Sequence, residues 1–366
     1  MSDQVCMRCG SRFEAEELLF KCPKCGGHLE WQHLPAFDPE RILPKMPGLW
    51  RYKEFFPEVL PDTPLTLGEG WTPIVSVPGL GSNLLFKLEY ISPTASFKDR
   101  GVALVINRLY EHGITEFADD SSGNAGASMA AYGAMAGMTA HIFSPSYAPA
   151  GKIEQIRAFG ADLTLVPGPR PEATKAALAM ADSGVFYASH AWVPINLVGQ
   201  QTAAFEVWEQ LQGNLPDAIA MPVGQGTLFL GMYRGFQRLL EAGIITRIPR
   251  MIAVQSEKIQ PIVQAFESSR DEVTPAKPDY TIADGMAITT PVRGKEILAA
   301  IRESKGKAVA VTEEEIEEAR KELASNGLFV EPTSAAPFAA VPKFRSSAGE
   351  RVLVMLTGSG LKKLER

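Results

Sequence analysis

The sequence predicts an α/β protein: two three-layer α/β/α domains preceded by a small cysteine-rich ribbon. Three observations predict it. All four cysteines fall within the first 25 residues, as two C-x2-C pairs. From Leu84 onward, short apolar runs alternate with segments of helical spacing, the pattern of parallel sheets covered on both faces. A length of 366 residues provides for roughly two domains. The 45% hydrophobic and 21% charged fractions are those of a globular chain and exclude disorder, a coiled coil or a fibrous repeat. A formal charge of −6 argues against general nucleic-acid binding or adhesion to an anionic membrane. No apolar run approaches the ~18 residues of a membrane span. The start, Met-Ser-Asp-Gln, lacks the basic and apolar regions of a signal peptide. A cytoplasmic protein with no nucleic-acid or membrane partner is the expectation.

Cys6, Cys9, Cys22 and Cys25 read C-x2-C, twelve residues, C-x2-C. Two such knuckles offer four thiolates in a tetrahedral cage, the set Zn²⁺ takes in a structural site. Gly10 and Gly26 follow the pairs and permit the tight turns that aim backbone N–H groups at sulfur. Lys21 and Lys24 add positive charge near a formally dianionic centre. Four ligands leave no open position, so the metal would staple a segment too small to hold a core alone. Iron in the same cage, two disulfides and reduced thiols are the alternatives; a reducing cytosol disfavours the disulfides. A nucleic-acid-binding ribbon would need a basic patch that this one lacks.

The ribbon is expected over 1–35. The connector after it has Pro at 35, 39, 44, 47, 57, 61 and 64 and should wrap over a surface without long elements. Residues 84–89 read as a strand, and 98–112, with apolar residues at 102, 105, 106 and 109, as a helix. Phe117-Ala118 is a short apolar stretch ending at Ser-Ser-Gly-Asn. A helix of small residues follows over 125–136, a strand over 140–143, and a helix over 152–159 stopped by Gly160. A strand at 163–166 and a helix at 172–183 complete this region. Farther on come a strand (218–223), a Gly-rich turn, a helix (228–242) and a strand (250–255). Thr312 begins another helix, with Glu315 completing a capping box and an acidic first turn that suits the helix dipole. Residues 351–356 form the closing strand.

Ligands in such sheets sit beyond the carboxyl ends of the strands, so the loops after strands are informative. Lys98, in Pro93-Thr-Ala-Ser-Phe-Lys-Asp-Arg-Gly101, opens a helix, where the dipole repels a cation. A buried lysine bonded as an imine explains that placement; read alone, a surface lysine paired with Asp99 explains it too. Ser121, Ser122, Gly123, Asn124, Ala125 and Gly126 gather hydroxyls, an amide and free N–H groups at a helix start, an anion site or a plain N-cap turn. Gly224, Gln225, Gly226, Thr227 and Leu228 follow a strand. Phe229 stands where a third dinucleotide-loop glycine belongs, and no G-K-S/T is present. What remains is a backbone cradle for one phosphate, or an ordinary tight turn. Leu356-Thr357-Gly-Ser-Gly360 also follows a strand and offers hydroxyls to a heterocycle nitrogen.

Taken together these loops resemble those of the fold-type II pyridoxal-phosphate enzymes, and within them the threonine synthase family. The likeness runs from about Gly68 to the end. It is carried by GEGWTPI (68–74), FKLEYISPTASFKDRG (86–101), SSGNAGASMAAYGA (121–134), GQQTAAFE (199–206), TIADGMA (281–287), FVEPTSAA (329–336) and LTGSGLK (356–362). Some family members also carry a zinc-ribbon-like N-terminal piece. The resemblance implies a smaller domain of 93–199 that closes on a larger one of 36–92 and 200–366, and a homodimer. It implies pyridoxal 5′-phosphate as cofactor, with Lys98 as the Schiff-base lysine and proton shuttle. Asn124 would bond the cofactor's 3′ oxygen, Gly224 to Leu228 would hold its phosphate, and Thr357 would face the pyridine nitrogen. Ser121, Ser122, Asn124 and Ala125 would lie near the substrate carboxylate. A neutral hydroxyl at the ring nitrogen suits elimination and replacement more than transamination.

The sequence departs from the threonine synthase pattern where that family grips the phosphate of O-phosphohomoserine. Ala125 replaces a usual threonine. His190, Ala191 and Asn196 fall where an Asn-Ser pair and an arginine are typical, and no lysine or arginine lies between Lys175 and Arg234. The phosphate loop reads G-Q-G-T-L in place of G-N-A-G-N. The expected activity is a lyase acting by β or γ elimination or replacement, most like threonine synthase. The alternative is a threonine or serine ammonia-lyase, or a β-replacement synthase, with a non-phosphorylated amino acid. A non-catalytic member that keeps the fold is disfavoured by the intact Lys98, Asn124 and Thr357.

Overall fold

A computed structural model describes residues 3–363 except 82, 122 and 169. The chain divides into two compact units, one of Met1–Gly70 with Lys98–Gln200, the other of Trp71–Phe97 with Gln201–Lys362. The first therefore takes in 36–70 as well as the ribbon and 98–200. The second boundary falls inside the Ile195–Gln210 helix.

In the first unit the ribbon is an antiparallel sheet with Asp3–Cys6 between Arg12–Phe13 and Leu29–Gln32. Gly10 and Gly26 take φ of +72° and +73°, and their N–H groups donate to the Cys6 and Cys22 carbonyls, which closes the two knuckles. The ribbon is tied down by Arg108, which donates to the carbonyls of Ala15 (2.6 Å) and Glu17 (2.7 Å) and lies over the Trp31 ring.

The connector departs from expectation. Its prolines do limit it to short 3-10 pieces, Pro39–Arg41 and Gly48–Phe55. Yet Leu49, Trp50, Tyr52 and Phe55 are wholly buried, so it forms interior and does not wrap a surface. Prolines restrict backbone form, but it is the aromatic side chains that decide burial. Trp50 Nε1 donates to Glu69 Oε1 (2.6 Å), and Glu69 also accepts from the Tyr132 hydroxyl (2.7 Å). The connector is thereby pinned to the small-residue helix Asn124–Met135.

That helix and three others, Lys98–Glu111, Ala150–Ala158 and Arg170–Asp182, accompany a parallel sheet ordered Asp162–Val166, Thr139–Pro145, Glu116–Asp119, Phe186–Tyr187. In the second unit the sheet runs Lys307–Val311, Arg250–Ser256, Ala218–Pro222, Val352–Met355, Leu84–Lys87, Ile74–Val75. Its first five strands are parallel and only Ile74–Val75 is antiparallel. Its core joins Phe86, Ile252, Val254 and Val354 from the strands to Ile316, Leu323 and Phe338 from the helices. The capping box is formed: Glu315 N–H donates to Thr312 Oγ1 (3.1 Å) and Thr312 N–H to the Glu315 carboxylate (2.8 Å). Among the described residues no helix is long and apolar enough to cross a membrane.

Candidate active site

Each sheet has one place where the strand order reverses. In the first unit the chain moves outward from Glu116–Asp119 through Thr139–Pro145 to Asp162–Val166, then places Phe186–Tyr187 on the other side of Glu116–Asp119. Loops leaving two adjacent parallel strands in opposite senses open a crevice at their carboxyl ends. Here those loops start at Asp119 and at Ala188. In the second unit the reversal lies between Ala218–Pro222 and Val352–Met355. Its crevice loops are 223–227 and 356–360.

The first crevice holds Ser121, Asn124 and Ala125 of the sequence-predicted residues. Asn124 and Ala125 are buried at the start of Asn124–Met135, and no side chain caps Gly123 ahead of them. The first-turn N–H groups of a helix suit an anion. Ser121 is buried; its N–H donates to Asp119 Oδ2 (3.3 Å), and its Oγ accepts from the Gly123 N–H (3.3 Å). Ser122 lies outside the described residues. Gly126 is required, because a Cβ there would lie 2.0 Å from the Ser121 carbonyl oxygen. Lys98 is the first residue of Lys98–Glu111 and is half-buried, not a surface lysine. Asp99 beside it is fully buried and accepts from the Ser128 hydroxyl at 2.6 Å.

His190 leaves the second loop of this crevice. Burial, and then the charges of Lys98 and Arg170, hold its imidazole well below the usual histidine range, so it is neutral. Burial, and then the charge of Asp120, push the Asp119 carboxyl up to about 8, against the pull of Arg170 and two backbone N–H groups. The sequence reading does not single out Asp119. Its signal is an Asp-Asp pair ending a short apolar strand at the reversal point.

In the second unit Gly226 has φ of +75° and precedes Thr227–Glu241 with no side-chain cap. A Cβ on Gly224 would meet the Gly285 carbonyl oxygen at 2.6 Å, and one on Gly226 would meet Ile297 Cδ1 at 2.3 Å. Gln225 turns its Oε1 to the Val292 N–H (3.1 Å), so its side chain pins a neighbouring loop. Thr227 and Leu228 are buried at the helix start. Thr357 Oγ1 lies 3.0 Å from Ser334 Oγ, which in turn accepts from the Gly358 N–H (2.6 Å). Ser334 falls in FVEPTSAA, but its bond to Thr357 is not readable from the sequence. The Phe97 N–H donates to the Thr357 carbonyl (3.0 Å), so the residue before Lys98 is anchored on this loop.

In the ribbon the four Sγ atoms lie within 4.8 Å of one another, with Cys6 to Cys25 at 3.4 Å and Cys9 to Cys22 at 3.8 Å. Sulfurs bound tetrahedrally to Zn²⁺ at ~2.3 Å are about 3.8 Å apart, so the cluster has the size of a metal cage. All four cysteines are free thiols.

The family described as "Pyridoxal-phosphate dependent enzyme" matches residues 65–358. A threonine synthase of Methanocaldococcus jannaschii is 35% identical over 98% of this chain and 92% of its own length. A threonine synthase of Synechocystis is 34% identical over 85% of this chain and 82% of its own. Among solved structures, a threonine deaminase of T.th. aligns with a TM-score of 0.68 at 26% identity, covering 79% of this chain and 92% of that one. A fungal L-serine ammonia-lyase from Rhizomucor miehei aligns with a TM-score of 0.70 at 22% identity, over 79% of this chain and 93% of that one, a likeness of fold.

Proposed function

This chain belongs to the pyridoxal-phosphate-dependent enzyme family as a threonine synthase-like lyase, and from that premise we propose that it removes or replaces a β or γ substituent of an α-amino acid. The donor set fits the cofactor: the 224–228 loop admits only glycine where it packs on Gly285 and Ile297, and its helix start has no side-chain cap. Bound pyridoxal 5′-phosphate supplies the electron sink that stabilises a carbanion at the substrate Cα.

In this reading Lys98 holds the cofactor through Nζ and, once displaced by substrate, moves the proton at Cα. The neutral His190 near it adds no further positive charge. Gly224 to Leu228 hold the cofactor phosphate and Asn124 its 3′ oxygen. Thr357 presents a hydroxyl, oriented by Ser334, to the ring nitrogen. Ser121, Ser122, Asn124 and Ala125 take the substrate carboxylate at the start of the Asn124–Met135 helix. Cys6, Cys9, Cys22 and Cys25 hold a structural Zn²⁺, and the enzyme works as a cytoplasmic homodimer.

The observation that carries the proposal is Lys98 opening a buried helix beside the crevice loops that start at Asp119 and Ala188. The purified protein supplied with cofactor should show the absorbance of the lysine-bound form. Lys98→Ala should abolish it, and amino-acid substrates should perturb it with release of ammonia, phosphate or another leaving group. A Lys98→Ala variant with an unchanged band would contradict the assignment.

A further inference from the structure

The first-unit crevice contains buried polar atoms without partners among the described residues. They are Asp119 Oδ1, His190 Nδ1 and both amide atoms of Asn196. None of the three residues is more than 6% exposed. Natural folds rarely leave such atoms unsatisfied, and when several cluster at a crevice a ligand is a natural partner. Asp119 Oδ1 and His190 Nδ1 are 3.9 Å apart, too long for a hydrogen bond and short enough for one hydroxyl to reach both.

His190 and Asn196 lie toward the helix that Lys98 opens, and Asp119 lies beside His190. His190 feels the charge of Lys98. Asn196 packs against Gly101, where a Cβ would lie 2.5 Å from its amide. Lys98 and Gly101 are three apart on one helix and so share a face. Asp119 ends the strand whose loop continues into Ser121 and Asn124.

We propose that Asp119, His190 and Asn196 form the recognition site for the substrate side chain, and that they select an uncharged hydroxyl over a phosphate ester. The proposal rests on the lyase reading and deepens it. At neutral pH a protonated Asp119, a neutral imidazole and an amide offer donors and acceptors with no net positive charge. A phosphate ester needs charged, preferably forked, donors. Lys98 is committed to the cofactor, and the charge of Arg170, which reaches both Asp119 and His190, is opposed at each of them by that of Asp120.

The test titrates cofactor-loaded protein with L-serine, L-threonine, L-homoserine, O-phospho-L-serine and O-phospho-L-homoserine, following cofactor absorbance and product. L-Alanine, which lacks a distal group, is the control. A hydroxy amino acid should bind at least about tenfold tighter than its phosphate ester, the worth of one net hydrogen bond. Asn196→Leu should weaken hydroxy amino acids about tenfold and leave alanine within about twofold, a split a merely structural role would not produce. Tighter binding of phosphate esters, or an equal loss for alanine, would overturn the proposal while leaving the lyase reading in place. No response to any amino acid would overturn both. The ligand comparison on the unmutated enzyme stands even if Asn196→Leu misfolds.

Discussion

Gly126→Ala tests whether the loop before Asn124–Met135 positions substrate. The added Cβ would lie 2.0 Å from the Ser121 carbonyl oxygen, 3.1 Å from its carbon and 3.2 Å from Ile156 Cδ1. A relaxed carbon–oxygen contact is about 3.4 Å, so the loop or the helix start must give by roughly 1.4 Å. Overpacking of that kind costs about 1–3 kcal/mol, which for a chain of this size lowers Tm by a few degrees at most. The larger effect falls on function, because a displacement of ~1 Å in a positioning group costs on the order of a hundredfold in rate. Gly123→Ala is the control: its φ is −114° and none of the described residues beyond its chain neighbours lies within 4 Å of a Cβ there. The assay is kcat/KM for the best amino-acid substrate, with thermal melting alongside. Gly126→Ala should lose about a hundredfold and Gly123→Ala under about threefold. Wild-type turnover in Gly126→Ala, or equal damage from Gly123→Ala, would refute the reasoning.

Two further predictions concern charge and metal. Asp119 is faced by Asp120, Arg170 and His190, and its carboxyl titrates at about 8 in the fold against an ordinary value of 3.8. The folded form therefore binds the extra proton between those values, so stability falls as pH rises from about 4 through 8. Urea midpoints should drop between pH 6 and pH 9, and Asp119→Asn should shrink that drop; an unaltered drop would acquit Asp119. Cys22→Ser should remove one equivalent of zinc per chain by elemental analysis and lower Tm, since the ribbon's small core is built around Cys6, Phe13, Cys22 and Leu29. Unmutated protein that purifies folded and metal-free would contradict the zinc cage.

What the sequence makes legible is local. The Thr312–Glu315 box, the Gly160 stop and the helix from Lys98 follow from residues within a turn of one another. Ile195–Gln210 escapes such a reading because it is buried on every side from 195 to 207, with Asn196, Gln200, Gln201 and Glu206 buried among the apolar residues, and it contains Gly199. That glycine is there for packing, since a Cβ would sit 2.2 Å from the Arg100 carbonyl oxygen. No periodicity marks such a helix. The strand orders are non-local, and with them the pairing of the Asp119 and His190 loops in one crevice. The buried Trp50–Glu69–Tyr132 contact is hidden for the same reason: its members are far apart in the chain. Lys98, Asn124 and the 224–228 loop are readable as motifs, whereas Asp119 and Ser334 gain meaning only from what they face.

The central claim is that Lys98 carries the cofactor, and its most direct measurement is chemical trapping. Cofactor-loaded protein is reduced with borohydride, digested and mapped by mass spectrometry. The account predicts the mass of the reduced cofactor on Lys98 and its absence from Lys98→Ala. A label on another lysine, or none on a protein that binds cofactor, would contradict it.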